Sequence, residues 1–80
     1  MSKRDKTLEK IRQNRRGVRF DELHNLLIRY GFNWRPGKGD HVYYWRPGSL
    51  PVTIRKDTTN VHPKAVKDAL EAIAEFLEEE

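Results

Sequence analysis

Three histidines stand in this 80-residue chain, and one of them, His41 in the stretch GKGDHVYYWRPG, has neighbours suited to chemistry. An imidazole titrates near neutrality, so it can take a proton from one oxygen and deliver it to another. RNA transesterification needs both transfers: removal of the 2′-hydroxyl proton and protonation of the departing 5′-oxygen. No metal is required if cations stabilise the charge that develops on the phosphorane. Lys38, Arg46 and Arg55 are the candidate cations. Arg46 ranks last, because strict strand alternation turns it to the face opposite His41.

The other histidines attract less interest. His24 falls within a helical pattern, and His62 directly precedes Pro63, where it is expected to help begin a helix. Neither forms a ligand-spaced pair and Asp40-His41 is a poor metal motif, so no metal site is expected. The absence of cysteine excludes disulfides, thiolate zinc sites and cysteine nucleophiles. No GxSxG, Walker loop or paired-carboxylate pattern occurs, and GKGD lacks the upstream glycine and Ser/Thr of a P-loop. No cofactor is expected.

Charge points to the partner. Residues 1 to 67 hold all sixteen Lys and Arg against six acids, a surplus of +10, while residues 68 to 80 hold six acids and no base, which leaves the net +4. A basic body favours polyanions, nucleic acid first, since each neutralised phosphate releases counterions. The alternative is a merely solvated basic surface with an acidic end that aids solubility. No apolar run approaches the roughly 18 residues of a membrane span, and MSKRDKTLEK lacks the apolar core of a signal peptide. The expectation is a soluble cytoplasmic protein without membrane partners.

The elements that would position His41 follow from hydrophobic spacing. Leu8 and Ile11 support a short helix within Asp5 to Asn14, too small to stand alone. Phe20, Leu23, Leu26, Leu27 and Tyr30 recur at helical spacing, with Asp21 and Glu22 in the first turn and Gly31 as terminator. From Phe32 the period becomes two. Phe32 to Trp34, His41 to Arg46 and Pro51 to Arg55 read as three short strands, joined by turns at Pro36 to Gly39 and at Pro47-Gly48. WRPG occurs twice because both strands end on an aromatic, an arginine and a Pro-Gly turn. Pro63 opens a last helix, with Val66, Ala69, Leu70, Ile73, Phe76 and Leu77 on one side and Asp68, Glu71, Glu75 and Glu78 on the other. The order predicts an α+β two-layer sandwich: an antiparallel meander with helices on one face.

Alternation then divides the sheet. Val42, Tyr44, Val52 and Ile54 are expected to face the helices, leaving His41, Tyr43, Trp45, Thr53 and Arg55 on the open side. Lys38 in the adjoining loop and Lys56 after the third strand complete a surface suited to RNA, with cations for phosphates and aromatic faces for unpaired bases. Tyr43 and Trp45 could equally be cross-strand partners that shield the sheet.

These residues resemble a known family. VRFDELHNLLIRYGF, GKGDHVYYWRPG, PVTI and VHPKAVKDALEAI, spread from Val18 to about Glu78, are similar to the HicA (YcfA-like) mRNA interferase toxins of bacterial type II toxin-antitoxin systems. The resemblance implies a toxin domain over residues 18–80 behind a short helical extension at 1–17. It also implies a fold like double-stranded-RNA-binding domains, with an α-β-β-β-α core, and a metal-independent endoribonuclease that cuts mRNA and is neutralised by a HicB-type antitoxin. The family's Gly-Ser-His motif aligns with Gly39-Asp40-His41, so catalysis carries over to His41 alone. Asp40 replaces the serine and brings negative charge to a place where phosphate must come. Where the family often has a proline and a histidine after its third strand, this chain has Arg55, Lys56 and Asp57. Two other classes fit the same surface: a non-catalytic RNA-binding module and a protein-interaction subunit.

Overall fold

The structure is a computed structural model that describes residues 6–78, with side chains up to residue 74. The element order is α1 (Lys6–Gln13), α2 (Phe20–Arg29), β1 (Asn33–Pro36), β2 (His41–Trp45), β3 (Val52–Arg55) and α3 (Pro63–Glu78). Met1 to Asp5, which include the first residue of the expected helix at Asp5 to Asn14, lie outside the described residues. So do Glu79 and Glu80 and the side chains of Glu75, Phe76, Leu77 and Glu78.

Both ends of α2 have a local cause. Glu22 reaches back from the first turn of α2 and accepts a 3.1 Å hydrogen bond from the Arg19 N–H, satisfying one of the donors that a helix start leaves open. At the other end Gly31 takes φ +87°. That left-handed turn lets the Phe32 N–H reach the Leu27 carbonyl and the Gly31 N–H reach that of Ile28, at 3.1 and 3.0 Å, the paired bonds of a Schellman motif.

The three strands form one antiparallel sheet in the order β1-β2-β3. His41 pairs with Arg55, Tyr43 with Thr53 and with Arg35, and Trp45 with Asn33. Val42, Tyr44, Val52 and Ile54 are buried on the helix side, as alternation requires. Leu23, Leu26 and Leu27 of α2 and Val66, Ala69 and Ile73 of α3 join them, and Leu8 and Ile11 of α1 belong to the same core. This is an α+β protein whose described residues form three helices and a three-stranded meander sheet around one core.

The strand boundaries differ from expectation, and β3 opens at Val52, one residue after the expected Pro51. β1 starts one residue later and runs on to Pro36, which ends the strand instead of starting the turn. Proline is tolerated there because β1 is an edge strand. β2 stops at Trp45. Arg46 leaves it because its Nη1 donates to the Tyr30 carbonyl at the end of α2 and its guanidinium sits 5.8 Å over the Phe32 ring. Arg46 is therefore a structural clamp on the helix side, and the open face of the sheet loses it as a candidate cation.

Candidate functional site

No described helix covers the second face of the sheet. His41, Trp45, Thr53, Arg55, Arg35 and Asn33 are exposed there, and Tyr43 is half-buried among them. The sequence-based assignment of faces holds residue by residue.

His41 is set by the β1–β2 turn. The Gly37 N–H donates to the His41 carbonyl at 2.7 Å, closing a hairpin whose loop is Lys38, Gly39 and Asp40. Gly39 takes φ +67°, and a Cβ there would meet nothing within 4 Å, so the glycine is demanded by backbone conformation and not by space. The turn brings the Lys38 carbonyl 3.1 Å from His41 Nδ1. A carbonyl only accepts, so this bond puts the proton on Nδ1 and leaves the Nε2 lone pair as the ring's basic position.

The cations around the ring are not equivalent. Arg55, the cross-strand partner of His41, gives Nη2 and Nε to the two carboxylate oxygens of Asp57 at 2.6 and 3.0 Å. Those hydrogen bonds raise the arginine's pKa and lower that of Asp57, so the pair is firmly ionised and most of the guanidinium's charge is answered. Lys38 is exposed and makes no ion pair among the described residues, which leaves it as the uncommitted cation nearest the ring in sequence. Lys56 is exposed, and its N–H is tied to the Asp40 carbonyl at 2.9 Å, fastening the turn to the end of β3. Asp40 is exposed in the turn, and its charge acts more weakly on Arg55 than Asp57 does.

The aromatics also divide. Trp45 is exposed at the far end of β2 and offers a stacking face. Tyr43 lies against Gly37, where an added Cβ would come within 2.4 Å of its ring, and the Arg35 guanidinium sits 5.9 Å from the ring centroid. Tyr43 is thus partly consumed by the sheet, and Arg35 joins the surface beside it. The contact follows from the register, in which Arg35 pairs with Tyr43 and so shares its face.

A groove of about 750 Å³ opens beside His41, passes Thr53 and Arg55 at the edge of the sheet, and ends at Arg16, His62 and Lys64. The reading of His62 as only a helix-start residue missed this proximity, which depends on chain closure and has no signal in local spacing.

Among the described residues no group of three or more His, Asp or Glu is gathered as a metal site would need. No helix is long and apolar enough to cross a membrane. Compared with family models, curated proteins and solved structures, the chain matches none of them.

Proposed function

We propose that this protein is a small HicA-like endoribonuclease that cuts mRNA with His41 as its acid-base group. The single observation that carries the reading is the anchored His41 ring on an uncovered, cation-bearing sheet face, with Nδ1 held by the Lys38 carbonyl at 3.1 Å. The α2-β1-β2-β3-α3 order supports a double-stranded-RNA-binding-domain-like fold, in agreement with the resemblance of Gly39-Asp40-His41 and its flanking helices to that family.

Nε2 of His41 takes the proton of a 2′-hydroxyl, and the oxygen attacks the adjacent phosphorus. The bond from phosphorus to the 5′-oxygen breaks as the imidazolium or a water returns a proton to that oxygen. The products are a 2′,3′-cyclic phosphate and a 5′-hydroxyl end. Lys38 supplies positive charge to the phosphorane, while Arg55, Thr53 and Lys56 position the strand and Trp45 stacks on a base. A HicB-type antitoxin would silence the enzyme by covering this same face.

One observation favours a second reading, a non-catalytic RNA-binding module. Asp57 holds Arg55 beside the ring and Asp40 adds a second carboxylate in the turn, both opposed to an incoming phosphate. Cleavage of a labelled messenger RNA by the wild type and by His41→Ala decides between them. Loss of cleavage in the variant, with RNA affinity retained, supports the nuclease. Equal cleavage by both, or none by either, removes His41 from any catalytic role.

A further inference from the structure

The two histidines of the groove present opposite hydrogen-bonding character. His41 donates from Nδ1 to a carbonyl and keeps an acceptor at Nε2. In His62 the arrangement reverses: Nδ1 lies 3.1 Å from the Lys64 N–H and accepts from it, which leaves the proton on Nε2. His62 is the residue before Pro63, so its ring caps the first turn of α3 as an Asn or Ser side chain would. The Lys64 amide is thereby used, and the ring's own N–H is the donor left for a ligand.

The surroundings of that donor are cationic. A 2.7 Å hydrogen bond from the Val61 N–H to the Val18 carbonyl draws the start of α3 against the segment before α2, which sets Arg16 on the same groove as His62 and Lys64. Neither Arg16 nor Lys64 makes a side-chain ion pair among the described residues. Asp68 is the one carboxylate on the lining, against Arg16, Lys64 and the Asp57-bound Arg55. The volume lies within the roughly 300–1,000 Å³ of clefts that hold small ligands or parts of larger ones.

We propose that this end of the groove is a second phosphate subsite for single-stranded RNA, in which His62 donates from Nε2 to a phosphodiester oxygen while Arg16 and Lys64 neutralise its charge. The inference deepens the nuclease reading and rests on RNA being the ligand of the open face: the scissile phosphate lies at His41, and a neighbouring phosphate of the same strand reaches His62. The strand runs across Thr53 and Arg55 between them. His62 is a positioning residue and moves no proton in the reaction.

The test separates the subsite from catalysis by using an RNA octanucleotide fully methylated at its 2′-oxygens, which cannot be cut. Its affinity is measured across a range of salt for the wild type, for Arg16→Gln with Lys64→Gln, and for His62→Ser, which keeps a helix-capping oxygen but lacks the reaching N–H. Removing the two cations gives up one phosphate contact and should flatten the log–log salt slope by about 0.7, and His62→Ser should weaken binding by about tenfold with the fold intact by circular dichroism. With cleavable RNA, the advantage of the octanucleotide over a dinucleotide in kcat/KM should shrink in both substituted proteins. Wild-type affinity and slope in the variants overturn the subsite, as does a defect confined to binding a protein partner. A wild type that binds the methylated RNA with the expected slope yet cuts nothing supports the subsite and ends the nuclease reading.

Discussion

His41 and Arg55 face each other across β2 and β3 on the open side of the sheet, and the arginine is turned aside by Asp57 two residues further on. A carboxylate that holds its guanidinium at 2.6 Å competes directly with any phosphate that would take its place. Replacing Asp57 with Asn should therefore release a cation at the site. The expected result is tighter RNA binding at low salt and a log–log salt slope steeper by about 0.7, the contribution of one added phosphate contact on a single strand. Because the pair is solvent-exposed, thermal stability should change little. Binding isotherms at several salt concentrations check this, and an unchanged slope would mean that Arg55 never meets the RNA.

Two glycines of the β1–β2 turn should fail for different reasons. Alanine at Gly39 has open space but must adopt φ +67°, at a cost of about 1–2 kcal/mol, and Asn, which tolerates that region, should recover part of the loss. Alanine at Gly37 is not forced to a positive φ but would collide with Tyr43 at 2.4 Å, pushing the ring off the sheet at a cost of about 1–3 kcal/mol. Gly37→Ala should thus be relieved by Tyr43→Ala, whereas Gly39→Ala should not. Urea denaturation of the singles and doubles measures both couplings.

The contrast marks how far the sequence could be read. Helix spacing and strand alternation placed Val42, Tyr44, Val52 and Ile54 inward and His41, Tyr43 and Trp45 outward, because those signals are periodic and local. What escaped depends on meetings between separate segments. Asp57 folds back on Arg55 through an irregular bend, Arg35 joins Tyr43 only once the strand register exists, and His62 approaches the His41 groove only when Val61 bonds to Val18. Arg46 illustrates the same limit in reverse: alternation gave its face correctly, while its clamp on Tyr30 requires α2 to end where it does.

That clamp is testable. Arg46 joins a charged hydrogen bond to the last turn of α2 with a cation–π contact to Phe32, and a methionine of similar length would supply neither. Arg46→Met should destabilise the fold by about 1–2 kcal/mol, a fall of roughly 4–16 °C in Tm for a domain of this size. RNA cleavage per folded molecule should be unaltered, because Arg46 lies on the helix side of the sheet. Thermal scans paired with cleavage assays well below the transition check both halves. A loss of activity without loss of stability would return Arg46 to the site.

His24, packed on the helix side of the sheet against Tyr44, should make stability depend on pH near neutrality. His24 Nδ1 lies 2.7 Å from the Tyr44 hydroxyl, with Phe20 stacked on one side of the ring and Trp34 edge-on. Burial lowers the His24 pKa below its ordinary 6.5, outweighing the opposite pull of Asp21, and burial also raises the Tyr44 hydroxyl so that it stays neutral. In the unfolded chain the imidazole regains its ordinary pKa, so between the two values the unfolded state binds more protons and stability rises with pH. The contribution is complete above about pH 6.5 and is lost as pH falls through the depressed folded value. Denaturation at pH 7.5 and pH 5.5 should show the wild type weaker at the lower pH. His24→Gln, which does not titrate in this range, should lose most of that difference. Tyr44→Phe should cost about 1 kcal/mol at pH 7.5 by leaving the ring nitrogen without its partner. If the pH difference survives in His24→Gln, the titrating group lies elsewhere.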